Sequence, residues 1–309
     1  MKRICLLVLC FLLLAGCATE QPKSQTTVFA MDTVMDLQVW GPGSEAAMGL
    51  LQDLITQLED TWSVTRQDSV LSALNRDPHT QLTDAQAALL EQVHDMQART
   101  GGLFDPYLYQ LSCAWGFYDK NYRIPTEAEL QAAMAQRQLD LGGALKGYCG
   151  DRAVEILDAS HVSCALLSLG GNIQTYGTKP DGSPWQLGIQ NPDGGDPAAV
   201  ISVTGTKAVV TSGDYQRFFE LDGRRYHHIM DPRTGYPADS GLRSVTVICQ
   251  SGLAADCLST ALFVMGLEDG MAFWRESNDF EAVFITAEGR IYATEGAAVS
   301  GCEYEVIHK

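Results

Sequence analysis

Positive charge is scarce in this sequence, and the shortage limits the kinds of partner the protein can bind. The 309 residues include 21 Lys and Arg against 38 Asp and Glu, for a formal net charge of −17 at pH 7. Nucleic acids and anionic lipid surfaces attract proteins with excess positive charge, so neither is expected as a partner. A protein this acidic needs local cations if it is to hold a phosphate-containing ligand.

Several signatures of other protein classes are also absent. Neither a G-x-G-x-x-G nor a Walker pattern occurs to predict a dinucleotide-binding or P-loop fold. No C-x-x-C pair, internal repeat or second apolar span divides the chain after its N-terminal segment. Because the later cysteines are scattered and mostly lie in apolar runs, we expect buried thiols, although an exported protein could also pair them in disulfides. These cysteines are Cys113, Cys149, Cys164, Cys249, Cys257 and Cys302.

The first residues predict export and a lipid anchor. A basic start is followed by an apolar run, residues 4–15, that is too short to span a bilayer with ease. The small residues before Cys17 resemble a lipobox, so residues 1–16 are predicted to be a lipoprotein signal peptide and Cys17 to be acylated. Residues 17–27 would then be a lipid-anchored tether, with a domain over 28–309 on the outer side of the membrane. An ordinary signal peptide or an uncleaved anchor is the alternative.

Apolar patterns along the rest of the chain predict an α+β fold. Thr83 with Gln86 and Thr126 with Glu129 have the spacing of helix capping boxes. Short apolar runs separated by turns predict a largely antiparallel mixed sheet flanked by helices, in a single large domain. The predicted strands cover 28–40, 163–169, 185–190, 200–203, 208–211, 242–249, 282–286 and 290–294, with a hairpin at 216–230.

The hairpin at 216–230 has a register that its turn determines. Asp222-Gly223 is the strongest short-range signal for a two-residue turn. Side-chain alternation then sends His227 and His228 to opposite faces, so only one of them can face a given site. The predicted pairs are Leu221 with Arg224, Phe219 with Tyr226, and Arg217 with His228.

Two other stretches carry residues suited to a phosphate and a metal. In 139–148, LDLGGALKGY, paired glycines allow a ligand to approach the backbone, and Lys146 can meet phosphate as a point charge. A Gly-Gly turn with a surface lysine is the alternative. In the apolar helix predicted at 252–266, Asp256, Ser259 and Thr260 share one face. That face suits a hard cation; alternatively Asp256 interacts with the helix dipole and Thr260 bonds back to its own helix.

These stretches together resemble the ApbE family of FAD:protein FMN transferases, which implies a fold of the ApbE type. The resemblance rests on TSGDYQRFF and HHIMDPRTGYP within 211–237, on LDLGGALKGY, on the family's G-x-F-D-P and W-G-F patterns at 102–106 and 115–117, on L-G-G-N at 169–172 and on A-D-x-x-x-T at 255–260. Two departures stand out. Asp32 occupies a position where the family has glycine, and Thr65 occupies one where it has a flavin-contacting tyrosine.

The resemblance implies a set of site residues. It matches His228 to the family's recurrent histidine, which makes His228 the candidate base that activates an acceptor hydroxyl. Asp231 or the substrate phosphate itself is the alternative base, in which case His228 would only bind flavin. It implies Mg²⁺ held by the Gly143 carbonyl, Asp256 and Thr260, with Ser259 on the same face. The residues it assigns to FAD binding are Met31, Thr65, Leu103, Phe104, Asp105, Asp140, Lys146 and Ile229. For Asp105 alone, a turn-forming Asp-Pro is the alternative.

The reaction implied by the resemblance is a Mg²⁺-dependent group transfer with FAD as substrate. A threonine or serine hydroxyl of an exported or membrane-bound electron-transfer flavoprotein attacks the FMN phosphorus, and AMP leaves. An FAD pyrophosphatase producing FMN and AMP is one alternative. A non-catalytic flavin-binding lipoprotein is another, for which the departures at Asp32 and Thr65 would be signs of lost chemistry.

The lipobox hypothesis predicts the outcome of a Cys17→Ala substitution. Without the thiol no acyl chains can be attached, so the variant should remain unprocessed in the membrane fraction or be released. Incorporation of labelled fatty acid measures the difference, and equal labelling of the variant and the wild type would disprove a lipid anchor at Cys17.

Overall fold

The computed structural model describes residues 21–309, which contain fourteen strands and eight helices. The predicted signal peptide and Cys17 lie outside the described residues. The strands are β1 (Lys23–Ala30), β2 (Thr33–Trp40), β3 (Cys164–Leu169), β4 (Asn172–Gly177), β5 (Trp185–Ile189), β6 (Ala199–Val203), β7 (Lys207–Gly213), β8 (Phe218–Leu221), β9 (Arg224–His227), β10 (Leu242–Cys249), β11 (Phe280–Thr286), β12 (Ile291–Thr294), β13 (Val299–Ser300) and β14 (Glu305–Ile307). The helices are α1 (Ser44–Trp62), α2 (Val70–Arg76), α3 (Asp84–Arg99), α4 (Tyr109–Ala114), α5 (Glu127–Ala135), α6 (Leu145–Ala159), α7 (Gly252–Met265) and α8 (Leu267–Glu276).

Nine of the strands form one mixed sheet in the order β1-β2-β3-β4-β7-β10-β11-β12-β14. Neighbouring strands run antiparallel except β12 and β14, which are parallel. The predicted α+β class with a largely antiparallel sheet is confirmed. Both predicted capping boxes are present, at the starts of α3 and α5.

The sheet is covered by different layers on its two faces, and side-chain alternation along the strands separates them. On β7, Ala208 and Val210 point into the main core with the helices, whereas Val209 points to the opposite face. There a three-stranded sheet, β13-β6-β5, packs against it around Trp185 and Ile201. This layering leaves the ends of the central strands open for a site.

The opening strand predicted over 28–40 is instead two strands, because a turn interrupts it. Ala30 pairs with Thr33, and the two residues between them have φ of 51° (Met31) and 57° (Asp32). Positive φ at both central positions is the geometry of a type I′ hairpin turn, which glycine, asparagine and aspartate tolerate best. Asp32 therefore adopts the left-handed conformation without a glycine.

The first strand begins before residue 28, the predicted start of the folded domain. β1 begins at Lys23 and pairs along its whole length with β2. Residues 23–27, which the sequence analysis assigned to the tether, thus belong to the main sheet. β1 is also an edge strand of that sheet.

The hairpin β8–β9 has the predicted register. Phe219 pairs with Tyr226 and Leu221 with Arg224, and the backbone N–H of His228 donates to the Arg217 carbonyl at 3.0 Å. The hairpin forms a separate two-stranded sheet. It packs over an aromatic cluster made by Trp115, Phe117, Phe219, Tyr226 and Tyr236.

All six cysteines of the described region are free thiols. Cys149, Cys164, Cys249 and Cys257 are buried, as predicted, while Cys113 and Cys302 are partly exposed. Within residues 21–309 no helix combines the length and apolar character needed to cross a bilayer.

Helices α6 and α7 meet at an unusually close backbone contact. A Cβ atom on Gly147 would lie 2.0 Å from the Gly252 carbonyl oxygen, so both positions require glycine. Asp151 of α6 holds the start of α7 in this contact, accepting hydrogen bonds from the Ser251 hydroxyl and the backbone N–H groups of Gly252 and Leu253. The side chain thus serves as a cap supplied by the neighbouring helix.

We expect Asp151→Ala to destabilise the protein by about 2 kcal/mol, because it removes a cap and leaves partly buried N–H donors unpaired. Thr83→Ala removes a cap within one helix and should cost only about 1 kcal/mol. Urea denaturation of both variants measures the difference. Equal losses of unfolding free energy in the two variants would show that Asp151 stabilises the fold no more than a cap within one helix does.

Candidate functional site

A cleft of about 850 Å³ opens at the end of the main sheet where the β1–β2 and β3–β4 turns lie. The last residues of β7 and the first turn of α6 line it as well, and Asp256 and Thr260 of α7 reach it from below the sheet end. Its volume lies in the range of small-molecule and nucleotide sites. Eleven of the fourteen residues predicted for the site line this cleft: Met31, Leu103, Phe104, Asp105, Asp140, Gly143, Lys146, His228, Ile229, Asp256 and Thr260.

Three predicted residues, Thr65, Ser259 and Asp231, do not line the cleft. Thr65 is exposed, and its hydroxyl lies 3.1 Å from that of Ser63. Ser259 is fully buried and hydrogen-bonds to Ser212 at 2.8 Å. Helical spacing places Ser259 beside the metal face, but its hydroxyl is hydrogen-bonded to Ser212 and donates to the Asp256 carbonyl at 2.9 Å.

Asp231 is engaged in a local ion pair. Its carboxylate accepts hydrogen bonds from the backbone N–H and the guanidinium of Arg233, the shortest at 2.7 Å. Burial acts to raise the pKa of Asp231, but these hydrogen bonds and the Arg233 charge outweigh it and lower the pKa below its usual value. Asp231 is therefore held as a carboxylate that shapes the 231–235 turn.

Asp140 is fixed from both sides. Its Oδ1 accepts from the backbone N–H of Gly142 at 2.9 Å, and its Oδ2 accepts from the Tyr118 hydroxyl. Burial and the adjacent carboxylate raise the pKa of Tyr118 well above its usual value, so the phenol stays protonated and donates to Asp140. The glycine turn is thus a rigid element of the cleft wall.

Asp105 is held in the same way on the neighbouring segment, where the Pro106 carbonyl accepts from the Asp140 backbone N–H at 2.7 Å. Its Oδ1 accepts from the backbone N–H of Tyr107 at 3.0 Å, from Gln97 at 2.8 Å and from Arg137 at 2.9 Å. The bond to Tyr107 is the Asx turn expected of an Asp-Pro sequence. Asp105 lines the cleft as well, so the turn-forming and site-lining interpretations both hold.

Lys146 supplies positive charge at the centre of the cleft. Its Nζ donates to the Gly142 carbonyl at 2.9 Å and lies 3.9 Å from Oδ2 of Asp256. The side chain is only 17% exposed, so the charge is weakly screened. Lys120 and Arg217 also line the cleft, and neither forms a salt bridge within residues 21–309. Lys120, Lys146 and Arg217 thus bring three positive charges to a cleft that four carboxylates, Asp32, Asp105, Asp140 and Asp256, also line.

The oxygen atoms around Asp256 suit a hard cation. Asp256 is 4% exposed, and its Oδ2 accepts from the Gly147 backbone N–H at 2.9 Å. Thr260 lies beside it, with its hydroxyl 3.3 Å from that of Ser212 and 3.7 Å from the position of a Cβ atom on Gly143. One carboxylate with hydroxyl and carbonyl oxygens fits Mg²⁺, which takes few protein carboxylates and completes its shell with water and substrate phosphate.

Among residues 21–309 no group of three or more His, Cys, Asp or Glu side chains clusters as a metal site. The cation that the donors near Asp256 would hold is one that prefers oxygen.

The two adjacent histidines have different hydrogen bonds. His227 is 6% exposed; its Nε2 donates to the Ala238 carbonyl at 3.0 Å, and its Nδ1 accepts from the Ile229 N–H at 3.3 Å. Burial lowers the pKa of His227 to about 4. Both ring nitrogens are occupied, and the ring packs edge-on against Phe263. His227 is a core residue.

His228 faces the cleft with one nitrogen available. Its Nδ1 lies 3.3 Å from the Arg217 carbonyl, which can only accept, so Nδ1 carries the proton of the neutral ring. Nε2 is then an acceptor with no hydrogen-bond partner among the described residues. Burial, followed by the Arg217 charge, lowers the pKa of His228 well below its usual value. The ring is therefore neutral at pH 7, with Nε2 as its acceptor.

Sequence reasoning did not assign several polar residues that the fold brings to the cleft: Tyr118, Asn172, Gln190, Ser212, Tyr215, Gln216 and Arg217. Asn172 is 4% exposed, and its amide Nδ2 has no hydrogen-bond partner among residues 21–309. A buried donor without a partner at a cleft wall is suited to donate a hydrogen bond to a bound ligand. Asn172 ends the L-G-G-N pattern, and Ser212 and Tyr215 lie within TSGDY, so a more literal use of those motifs would have identified them.

Comparisons with known proteins agree with this geometry. A model of the ApbE family matches residues 31–284. The chain is similar to the FAD:protein FMN transferase of Treponema pallidum (strain Nichols), with 35% identity over 290 residues, 81% of this chain and 80% of that protein. It is also similar to the FAD:protein FMN transferase of Klebsiella pneumoniae (strain 342), with 32% identity over 267 residues, 78% of this chain and 83% of that protein.

Solved structures share the fold. The ApbE protein from Thermotoga maritima superposes with a TM-score of 0.82 at 29% identity, covering 89% of this chain and 97% of that chain. The flavinyl transferase ApbE of Pseudomonas stutzeri superposes with a TM-score of 0.76 at 30% identity, covering 92% and 95%.

The donor set predicts the effect of Asp256→Asn on Mg²⁺ binding. Asparagine keeps an oxygen to accept from the Gly147 N–H but loses the charge a cation needs, so the fold should survive and the affinity should fall. Mg²⁺ at 100 times its Kd should stabilise the wild type by about 2.7 kcal/mol and the variant much less. Thermal unfolding with and without Mg²⁺ measures this. Asp53→Asn, at an exposed position of α1, is the control, and an undiminished Mg²⁺ response in Asp256→Asn would contradict the site.

Proposed function

The chain belongs to the ApbE family, and from that premise we propose that it transfers FMN from FAD to a hydroxyl group of another protein. The observation that carries the proposal is the meeting of three functions in one cleft. Lys146 offers a cation for phosphate, Asp256 and Thr260 offer oxygen ligands for a metal, and His228 offers a free proton acceptor. Transfer of a phosphate-linked group needs these together.

The apolar and polar walls of the cleft suit the two ends of the substrate. Leu103, Phe104, Met31 and Ile229 provide apolar surface for the flavin ring system. The pyrophosphate would lie near Lys146, whose ammonium attracts phosphate oxygens as a point charge. This division supports FAD as the substrate.

The metal proposed for this reaction is Mg²⁺, held by the Asp256 carboxylate, the Thr260 hydroxyl and the Gly143 carbonyl. When bound, it would neutralise charge on the phosphate oxygens. Lys146, only 3.9 Å from Asp256, adds a second positive charge at the same place. The Gly147 N–H keeps the Asp256 carboxylate oriented through its hydrogen bond.

His228 is the proposed general base. The acceptor oxygen forms a bond to the FMN phosphorus while its proton passes to Nε2 of His228. The bond from that phosphorus to the bridging oxygen of the AMP half breaks, and AMP leaves with the electron pair. We assign the proton to His228 rather than Asp231, because Asp231 is paired with Arg233 and lies outside the cleft lining.

We further propose a threonine or serine as the target, in an exported or membrane-bound electron-transfer flavoprotein. The support is the predicted lipoprotein signal, residues 1–16, and the lipid anchor predicted at Cys17. The same segment would hold the enzyme at the outer side of the membrane, where such acceptors lie.

One assay tests the proposal. The purified protein is incubated with FAD, Mg²⁺ and a domain of an exported electron-transfer flavoprotein that carries a threonine at its flavin attachment point. Flavin fluorescence that stays with the acceptor after denaturation, with release of AMP, is the expected result. Free FMN plus AMP would indicate an FAD pyrophosphatase instead, and unchanged FAD a flavin-binding protein without transfer activity.

We expect His228→Ala to bind FAD with near wild-type affinity and to lose transfer by at least about 100-fold, because a general base contributes about this much to rate. His227→Gln, which keeps a polar side chain in the core position, should retain transfer below its melting temperature. Transfer rates at saturating FAD, with FAD affinity measured separately, give the comparison. Transfer by His228→Ala at close to the wild-type rate would assign the proton to another group.

A further inference from the structure

Large apolar side chains are exposed at only a few places in the described part of the chain. Scattered single residues of this kind are normal on protein surfaces, whereas clusters next to a site are informative. The exposed set is Phe29, Val34, Leu50, Tyr122, Ile124, Leu221, Tyr304 and Val306. Three members of the set, Phe29, Val34 and Tyr122, lie at the cleft or beside the turn that lines it.

Phe29 and Val34 form a cross-strand pair. The β1–β2 register places them directly opposite each other, so their side chains project from the same face of the hairpin. They are 71% and 53% exposed, while their neighbours Ala30 and Met35 point into the core. The pair is thus an apolar patch on the uncovered face of the edge hairpin.

The patch is continuous with the cleft mouth. The residues that join the two strands, Met31 to Thr33, line the cleft. Val34 directly follows this segment, and Phe29 precedes it by one residue, Ala30. Anything large that enters the cleft over this turn therefore meets the pair.

Tyr122 provides a second apolar contact at the same cleft. It is 40% exposed and lines the cleft. Its ring stacks on Phe219 with centroids 5.3 Å apart and packs edge-on against Phe117 at 5.7 Å, so it is supported from below. Phe117 in turn lies 6.5 Å from His228. An apolar group resting on Tyr122 would lie close to the proposed base.

We propose that Phe29, Val34 and Tyr122 form the docking surface for the acceptor protein, whose apolar side chains flank the hydroxyl that receives the flavin. This proposal rests on the proposed function, since it supplies the partner for the same cleft. The acceptor has to bring its hydroxyl to His228, and it can do so only by covering the mouth of the cleft. The exposed apolar side chains lie where that covering takes place.

The position of the patch argues against a membrane as its occupant. β1 starts at Lys23, and Phe29 lies six residues further on, or about 20 Å at about 3.3 Å per residue. The predicted tether therefore reaches the strand at the end opposite Phe29. A second copy of this chain on the patch would cover the turn at the cleft mouth and obstruct the acceptor.

The test uses the double variant Phe29→Thr/Val34→Thr. Threonine preserves β-strand propensity, and at Val34 it also preserves shape, so the hairpin should remain folded while its apolar surface is lost. The control is Leu50→Gln in α1, because Leu50 is 51% exposed but does not line the cleft. Thermal unfolding of each variant checks the fold.

We expect the double variant to bind the flavoprotein acceptor domain at least tenfold more weakly, measured on immobilised acceptor without turnover. In the transfer assay the loss should appear as a raised KM for acceptor, with FAD affinity and kcat at saturating acceptor unchanged. Leu50→Gln should match the wild type in both measurements.

An unchanged acceptor Kd in the double variant would overturn the docking surface, whether or not flavin is transferred. Normal acceptor binding by the wild type without any transfer would instead overturn the proposed function and leave the docking result to stand by itself. Loss of wild-type self-association in the double variant, with acceptor Kd unchanged, would assign the patch to a second copy and overturn this proposal.

Discussion

Asp256 lies almost completely buried on an otherwise apolar helix, and its carboxylate accepts a hydrogen bond from the Gly147 backbone N–H. A buried carboxylate is costly unless donors or cations surround it, so its surroundings are strongly constrained. α6 and α7 must approach closely enough for that hydrogen bond, which requires glycine at 147 and 252. Lys146, one residue earlier, then reaches the same carboxylate. The cation for phosphate and the ligands for a metal are therefore consequences of one helix contact.

The charge distribution follows the same logic on a larger scale. The whole chain is strongly acidic, and its cleft combines three cations, Lys120, Lys146 and Arg217, with four carboxylates, Asp32, Asp105, Asp140 and Asp256. Cations in a recessed site act on a ligand with little screening, while the acidic remainder of the surface repels competing polyanions. A substrate with one pyrophosphate and a neutral ring system suits this arrangement better than nucleic acid does.

The sheet explains why residues distant in sequence meet in the cleft. Because neighbouring strands are antiparallel, the β1–β2 turn, the β3–β4 turn and the last residues of β7 lie at the same end of the strands. Each turn contributes backbone or short polar side chains, and the hairpin β8–β9 adds His228 from outside the sheet. Lys146 and Asp256 come from helices, whereas Lys120, Asp140 and Arg217 come from segments between helices and strands. Hydrogen bonds such as those of Asp105 and Asp140 hold these connecting segments, which favours fixed positions for the groups that act on substrate.

Local sequence determined the features that depend on neighbours along the chain. The Asp222-Gly223 turn set the register of its hairpin, alternation separated His227 from His228, and the capping boxes began their helices as predicted. Most strands were located to within a few residues, and the motifs identified eleven of the fourteen site residues. The exceptions within these elements had local causes too: Met31 and Asp32 formed a turn without glycine, so one predicted strand became two.

Tertiary structure alone decided which side chains remain available for chemistry. Ser259 has the helical spacing of a metal ligand, but its hydroxyl is hydrogen-bonded to that of Ser212 on β7. Asp231 was a candidate base from its sequence position, but in the fold its carboxylate is paired with Arg233. Tyr118 belongs to the site because the fold places its hydroxyl against Asp140. The reason is physical: spacing along a helix or strand determines a direction, whereas hydrogen-bond partners and burial depend on residues tens of positions away that only the complete fold brings together.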